Sequence, residues 1–280
     1  MLKYLVLGSE GQIGAELCDY LRTQQHEVIE FDIVNEDVQD LRIYENATLD
    51  KCVKECDFVF FLAFDVGGSR YLKKYQHTYE FLHNNVMLMA NSFDTIKKYG
   101  KPFIFASSQM SNMSYSPYGV AKAIGERYTN SLGGLVVKFW NVYGPEKDLE
   151  KSHVITDFIL KARDTRKINM LTDGTEVRQF LHAEDCSRCL EILSQRYSEI
   201  PRDSELHITN FEWNSIFDIA GIIAEHFEGT EVVPAKAKDS VQLDARNEAD
   251  PLILKYWQPT IDIKTGIKMI IDDMGEHDEA

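Results

Sequence analysis

The stretch 5-LVLGSEGQIGAEL-17 places three glycines, Gly8, Gly11 and Gly14, at a spacing of three directly after an apolar run. The run predicts a buried β-strand, and the glycines predict a tight turn into the helix that follows. Such a turn lets a phosphate-bearing ligand approach the backbone, while the helix offers free N–H groups and the positive end of its dipole. The spacing is G-x-x-G-x-x-G rather than G-x-G-x-x-G, so the loop alone equally fits a simple strand–helix corner.

A carboxylate completes this first signal. Asp32 ends the next apolar run, EVIEFD, and stands eighteen residues after Gly14. At that place a carboxylate accepts hydrogen bonds from the adenosine ribose hydroxyls and repels a 2′-phosphate. The loop and the carboxylate together predict NAD as cofactor, with the following cofactor-binding residues: Gly8, Gly11, Gln12, Ile13, Gly14 and Asp32.

The composition is that of an ordinary globular protein, with 280 residues, 44% hydrophobic and 27% charged. The formal net charge of −15 argues against a nucleic acid or an anionic membrane surface as partner. No apolar run approaches the ~18 residues of a membrane span, and the N-terminus lacks a signal-peptide pattern, so we expect a cytoplasmic enzyme or binding protein. The five cysteines are scattered, and Cys186 and Cys189 have no second pair, which predicts reduced structural thiols and no metal site.

Strand-like and helix-like segments alternate along the first half of the chain. Apolar runs at 3–8, 27–32, 57–63, 101–108 and 134–140 are separated by helical patterns. Uniformly apolar strands of this kind are typical of a parallel sheet covered on both faces. The predicted fold is α/β, with a Rossmann-type doubly wound parallel sheet in residues 1–145 and part of the later chain. A smaller C-terminal α/β substrate domain, residues 146–280, is expected to be partly interwoven with it.

Tyr118 and Lys122 form an i, i+4 pair that a helix places on one face. A neighbouring ammonium favours the phenolate, so we expect Lys122 to lower the pKa of Tyr118 and make it a proton acceptor. The preceding strand, FIFASS, delivers Ser107 and Ser108 to the carboxyl edge of the sheet, where ligands of open α/β sheets bind. Ser108, Tyr118 and Lys122 are therefore the predicted catalytic residues.

Over nearly its whole length the chain resembles the extended short-chain dehydrogenase/reductase family, in particular the NAD-dependent nucleotide-sugar epimerases and dehydratases. Besides the pair Tyr118 and Lys122, the similar segments are GSEGQIG (8–14), EFD (30–32), DFVFFLA (57–63), NNV (84–86), FIFASS (103–108), KFWNVYGP (138–145) and VRQFLHAED (177–185). The resemblance implies further cofactor contacts from Asp40, Leu41, Leu62 and Ala63. It also implies cofactor contacts from Tyr118 and from Lys122, which would hold the ribose. It implies a nucleoside-diphosphate sugar as substrate, with the substrate-binding residues Ser108, Asn141, Arg178 and Arg246. His182 is interpreted as structural.

Departures from the family pattern narrow the reaction. The 4,6-dehydratases have Asp-Glu where this chain has Gln109 and Met110, and neither of these ionises. GDP-fucose synthase and GDP-mannose 3,5-epimerase have a Cys there that serves carbon-acid chemistry, and this chain lacks it. The loop FDVGGS (64–69) nevertheless resembles a loop of those two enzymes. A flexible glycine turn explains the sequence of this loop equally well.

The favoured hypothesis is a nucleotide-sugar 4-epimerase of carbohydrate biosynthesis. A net oxidoreductase, either a 4-ketoreductase or a dehydrogenase, is the alternative that shares every one of these residues. A non-catalytic NAD-binding regulator is disfavoured by the intact Ser, Tyr and Lys. By the same resemblance, the segments VMLMANSFDTI and YGVAKAIGERY predict a homodimer.

Overall fold

The computed structural model describes residues 1–146, 152–239 and 247–278. In chain order its strands and helices are β1 (Lys3–Leu7), α1 (Gln12–Thr23), β2 (Glu27–Phe31), α2 (Ala47–Glu55), β3 (Phe58–Phe61), α3 (Ser69–Tyr75), α4 (Tyr79–Tyr99), β4 (Phe103–Ser108), α5 (Pro117–Ser131), β5 (Leu135–Phe139), β6 (Asn141–Tyr143), α6 (Val154–Thr165), β7 (Lys167–Asn169), β8 (Val177–His182), α7 (Ala183–Gln195), β9 (Leu206–Ile208), β10 (Trp213–Ser215), α8 (Ile216–Ala224), β11 (Glu231–Val233) and α9 (Ile263–Asp278). Short 3₁₀ helices lie at Asp37–Gln39, Gln109–Asn112, Tyr197–Glu199 and Pro251–Lys255.

The main sheet has six parallel strands in the order β2-β1-β3-β4-β5-β9. The chain builds outward from β1 to β2, then returns to the other side of β1 with β3. This reversal creates a crevice outside the carboxyl ends of β1 and β3, which is the usual ligand site of such sheets. The predicted Rossmann-type fold is confirmed.

Alternate residues of the central strands point into two separate cores. On one face Tyr4, Val6 and Phe60 pack with apolar side chains of α1 and α7. On the other face Leu5 and Phe61 pack with side chains of α2, α4 and α5. Because helices cover both faces, almost every residue of these strands is buried, which explains their uniformly apolar sequence.

Cys186 and Cys189 lie in the first of these cores, and all five cysteines are free. Burial raises the pKa of the Cys189 thiol well above its usual range. A thiol in this environment is inert, as expected for a structural role.

The second half of the chain adds a smaller layered unit. A three-stranded sheet in the order β10-β8-β6 and the parallel pair β11-β7 pack with α6, α8 and α9 around a third apolar core. Strand β9, in contrast, joins the main sheet beside β5. The division of the chain at residues 145 and 146 stays a prediction. No helix in the described residues has the length and apolar character of a membrane span.

Candidate functional site

The glycine loop joins β1 to α1 and leaves no room for a side chain at Gly8 or Gly14. Gly8 has φ +89°, and a Cβ on Gly14 would lie 2.0 Å from the Gly8 carbonyl oxygen. No side chain of the described residues caps the amino terminus of α1, and the buried Ser9 hydroxyl has no hydrogen-bond partner there. The loop therefore presents unpaired donors at a helix N-terminus, which is the arrangement that binds a pyrophosphate.

Asp32 follows β2 and points back toward the same loop. Its carboxylate accepts hydrogen bonds from the backbone N–H groups of Glu10 and Val34, both at 3.1 Å. These two bonds fix a negative charge beside the glycine loop. The structure thus brings together the two parts of the predicted NAD site.

The predicted adenine contacts lie further along the cleft and include an arginine that the sequence analysis did not identify. The Arg42 guanidinium donates three hydrogen bonds to the Asp40 carboxylate, one to Oδ1 and two to Oδ2, the shortest at 2.8 Å. It also donates to Asn84 at 3.2 Å. The Arg42 guanidinium lowers the pKa of the Asp40 carboxyl. Leu41 is buried against Asn91, whose amide donates to its carbonyl oxygen at 3.0 Å.

Tyr118 and Lys122 lie on the first turns of α5. Ser116 caps this helix through a hydrogen bond from the Gly119 N–H at 3.1 Å, and Pro117 occupies the first helical position. The Tyr118 ring packs edge-on against Phe64 at 5.6 Å between centroids. The Ser108 hydroxyl, at the end of β4, lowers the pKa of the Tyr118 phenol.

The expected lowering of the Tyr118 pKa by Lys122 is wrong for this geometry. Lys122 Nζ donates to the Ala106 carbonyl oxygen at 2.7 Å and lies 5.9 Å from the centroid of the tyrosine ring. Burial raises the pKa of Tyr118 to about 12, against a smaller lowering by the Ser108 hydroxyl. Burial also lowers the pKa of Lys122 to about 7, with Glu126 opposing it. Both groups are thus shifted toward their neutral forms.

The predicted substrate residues lie on the opposite side of the cleft. Asn141 opens β6, and its amide donates to the Gln179 carbonyl oxygen at 3.2 Å. Arg178 on β8 forms an ion pair with Asp239 and donates to the Val177 carbonyl oxygen at 2.7 Å. Arg246 lies outside the described residues.

A loop and a buried carboxylate lie on the same side of the cleft as Asn141 and Arg178. The loop of residues 66–68 lines the cleft and leads into α3, where Arg70 pairs with Asp157 of α6 at 2.9 Å. Glu146 accepts a hydrogen bond from the ring of His153 at 2.6 Å, and this interaction helps to lower the pKa of the carboxyl despite its burial. His182, by contrast, is buried and caps α7.

One cleft of about 610 Å³ collects all of the described candidate residues. It is lined, among others, by Gly8, Gly11, Gln12, Ile13, Gly14, Asp32, Asp40, Leu41, Leu62, Ala63, Ser108, Tyr118, Lys122, Asn141 and Arg178. Gln109, Met110 and Trp140 also line it, and Trp140 was not among the predicted site residues. The cleft therefore runs from the glycine loop past Ser108 and Tyr118 to the arginine on β8.

The sequence of the chain matches a known family over residues 4–209, described as the NAD dependent epimerase/dehydratase family. The chain belongs to this family. It is an NAD-dependent enzyme that modifies nucleotide sugars. The glycine loop, the uncapped amino terminus of α1 and the fixed Asp32 carboxylate fit this cofactor.

Relatives in this family carry several activities. A putative UDP-glucose 4-epimerase of Methanocaldococcus jannaschii is 25% identical over 96% of this chain and 97% of its own length. A GDP-L-fucose synthase of Sinorhizobium fredii is 24% identical over 94% of this chain and 92% of its own length.

A solved epimerase of Methanothermobacter thermautotrophicus superposes with a TM-score of 0.86 at 21% identity, covering 99% of this chain and 93% of that one. The UDP-glucose 4-epimerase of Thermotoga maritima gives 0.80 at 18% identity, covering 99% of both chains. These likenesses establish the fold.

Proposed function

We propose that this enzyme is an NAD-dependent nucleotide-sugar 4-epimerase, which acts by transient oxidation at C4 of a nucleoside-diphosphate hexose. The observation that carries the proposal is the meeting of Ser108, Tyr118 and the glycine loop in one cleft. Gln109 and Met110, which follow Ser108, hold no ionisable group for water elimination. What remains is the set of groups that reversible oxidation of a hydroxyl requires.

In this proposal the glycine loop and α1 hold the pyrophosphate of NAD, and Asp32 accepts hydrogen bonds from the adenosine ribose. Asp40 and Leu41 face the adenine, with Arg42 keeping the Asp40 carboxylate ionised and oriented. Leu62 and Ala63 form the wall after β3. Held by these residues, NAD would supply a hydride acceptor for C4 and, once reduced, a hydride donor, and its positive charge would favour the phenolate.

Tyr118 is the proposed proton acceptor for the 4-hydroxyl and the donor that returns this proton at the end. Ser108, at the end of β4, lines the same cleft as the phenol and is proposed to hold the same hydroxyl. Lys122 lies one helical turn away with a pKa lowered to about 7, so its proton is weakly held near neutral pH. Lys122 Nζ lies 5.9 Å from the centroid of the Tyr118 ring, and its proposed role is to hold the ribose of NAD in the cleft that both residues line.

The wall with Asn141 and Arg178 is the proposed seat of the nucleoside diphosphate. The Arg178 guanidinium pairs with the Asp239 carboxylate, so its geometry already suits an anionic oxygen partner. The relatives described as UDP-glucose 4-epimerase and GDP-L-fucose synthase support a nucleoside-diphosphate sugar. The similarity to the latter also keeps the net oxidoreductase as the second candidate, since Ser108, Tyr118 and Lys122 serve both reactions. The cytoplasmic location and the role in carbohydrate biosynthesis stay predictions.

A panel of nucleoside-diphosphate hexoses, incubated with the protein and NAD, tests the proposal. NMR of the products is expected to show inversion at C4, and absorbance at 340 nm is expected to show no net NADH. Stoichiometric NADH with release of a keto sugar would establish the oxidoreductase instead. Binding of NAD without turnover of any sugar would favour the regulator, whose site needs no Tyr118.

A further inference from the structure

A chain of polar side chains, buried or half-buried except for the exposed Glu205, lies next to the cleft and connects two residues that line it, Ser107 and Trp140. The Ser107 hydroxyl donates a hydrogen bond to Glu126 Oε1 at 2.5 Å. Lys138 Nζ lies 3.8 Å from the same oxygen and donates to Glu205 Oε1 at 2.8 Å. One lysine therefore bridges two carboxylates, one on α5 and one just before β9.

His207 continues this chain to the cleft. Its Nε2 lies 3.2 Å from Glu205 Oε2, and its Nδ1 lies 3.1 Å from the indole Nε1 of Trp140. An indole N–H only donates, so Nδ1 accepts this hydrogen bond and the imidazole proton is assigned to Nε2, which donates to Glu205. Trp213 packs edge-on against Trp140, at 5.7 Å between centroids.

The strand register explains how three of these groups meet. Ser107 of β4 pairs with Lys138 of β5, and Lys138 pairs with His207 of β9, so the three form one row across the sheet. They are 2%, 4% and 5% exposed, in a sheet whose other positions are mostly apolar. The row lies one residue before Ser108, at the edge where the cleft begins.

The side chains of Lys138 and Glu126 are 5% and 16% exposed, whereas that of Glu205 is 59% exposed. Buried charges such as the first two are costly even when they are paired, and apolar side chains of similar volume often give a more stable protein. A stability role therefore explains this network poorly. The residues at the two ends of the network indicate another role, because each directly precedes a candidate site residue. Ser107 precedes Ser108, and Trp140 precedes Asn141.

We propose that Glu126, Lys138, Glu205 and His207 form a positioning network, which fixes Ser107 and Trp140 and thereby aims the Ser108 hydroxyl and the Asn141 amide at the sugar. The assignment of the sugar to these two groups rests on the proposed function, whereas the network itself does not. None of the four residues touches the reacting atoms in this proposal. They act through the two strand ends that they hold.

The network has one link that responds to pH. Protonation of His207 puts an N–H on Nδ1, facing the N–H of Trp140, and breaks that hydrogen bond. Burial lowers the pKa of His207, Glu205 raises it, and Lys138 and Asp250 act with smaller opposite effects. The hydrogen bond between Trp140 and His207 is therefore expected to break at a pH below the ordinary histidine pKa of ~6.5.

The first test needs no substrate. Indole N–H resonances of the ¹⁵N-labelled protein are followed from pH 8 to pH 5, and the Trp140 signal is identified by its loss in Trp140→Phe. We expect the Trp140 resonance to shift with a midpoint below pH ~6.5, and to lose this transition in His207→Gln, whose amide oxygen still accepts the bond. The matched control is His26→Gln, which changes a half-buried histidine that pairs with Glu191 at 3.1 Å, away from Trp140 and just before β2. If the transition persists in His207→Gln, or is absent from the parent, protonation of His207 does not control the Trp140 hydrogen bond and this part of the proposal is refuted.

The second test is kinetic. Glu126→Gln keeps the shape of the side chain and removes the charge that holds Ser107 and Lys138. Because a small misplacement at the reacting centre costs up to about a hundredfold in rate, we expect kcat to fall about tenfold or more, with NAD affinity unchanged and partial rescue by Glu126→Asp. Glu191→Gln, another buried carboxylate, is the control that affects stability alone.

A folded Glu126→Gln variant with the kcat and KM of the parent would overturn the positioning role. If the parent turns over no nucleotide sugar, the proposed function fails. The indole titration then still decides whether the network links His207 to Trp140.

Discussion

Lys122 Nζ donates a hydrogen bond to the Ala106 carbonyl oxygen at 2.7 Å, and the same nitrogen lies 3.8 Å from the centroid of the Phe64 ring. The residue is 4% exposed, so its ammonium form has little contact with water. Burial lowers its pKa from 10.5 to about 7, although the nearby Glu126 carboxylate favours the charged form. The lysine therefore exchanges its proton near neutral pH.

This shift makes stability depend on pH in a defined direction. The pKa of Lys122 is lower in the folded state, so the unfolded chain binds more protons between pH 7 and pH 10.5. The contribution of Lys122 to the free energy of unfolding therefore rises with pH across this window. Below pH 7 the buried lysine destabilises the folded protein to its full extent.

As the pH falls from 10 to 7, we expect the free energy of unfolding of Lys122→Met to increase relative to that of the parent, by on the order of a few kcal/mol. Urea unfolding at several pH values measures this difference. The control is Lys98→Met, which removes a surface lysine with 60% side-chain exposure. Parallel pH profiles for the parent and Lys122→Met would contradict the prediction.

Asp32 is expected to select NAD over NADP. Its carboxylate is held by the N–H groups of Glu10 and Val34, so it cannot easily turn away from a 2′-phosphate. We expect the parent to bind NAD(H) much more tightly than NADP(H), and Asp32→Asn to reduce this preference about tenfold or more.

Titration calorimetry with both cofactors measures the two affinities. Asp37→Asn, at an exposed position in the following 3₁₀ helix, removes an equal charge and is expected to leave the preference unchanged. Equal or tighter binding of NADP(H) by the parent would remove the assigned role of Asp32.

An apolar stripe on α5 supports the prediction of a homodimer. Val120, Ile124 and Tyr128 recur every fourth residue and are 41%, 41% and 42% exposed. Leu82 and Val86 extend the stripe onto the neighbouring α4, with 38% and 44% exposure. A face of this kind is usually covered by a partner, and we propose that a second copy of the chain covers it.

Ile124→Glu is expected to separate such a dimer, because it buries a charge at the centre of the stripe. Light scattering at micromolar concentration should give about twice the chain mass of 32.2 kDa for the parent, and the single mass for the variant. Phe217→Glu changes a residue of similar exposure on α8 and should leave the dimer intact. A parent that scatters as a single chain would refute the prediction.

The sequence identified the parts of the site that depend on local spacing. The glycine loop, Asp32 and the i, i+4 pair of Tyr118 and Lys122 each lie within one strand–helix unit. The direction of the Lys122 ammonium depends instead on the Ala106 carbonyl of β4, which helical spacing does not reveal.

The row of Ser107, Lys138 and His207 depends on the order β4-β5-β9, which places Lys138 between two residues that are distant from it in the sequence. Glu126 alone left a readable signal. It stands four residues after Lys122 and continues the same helix face.

Tyr118→Phe tests the proton acceptor directly. The ring keeps its edge-on contact with Phe64 at 5.6 Å, and only the hydroxyl beside Ser108 is lost. Because general acid–base catalysis contributes about 10²- to 10⁴-fold, turnover should fall by that factor while NAD affinity stays within about twofold. Tyr128→Phe, on the exposed side of the same helix, is the control and should retain full activity. Turnover of Tyr118→Phe within a few-fold of the parent would assign the proton to another group in the cleft, and the lowered pKa of Lys122 would make that amine the first to examine.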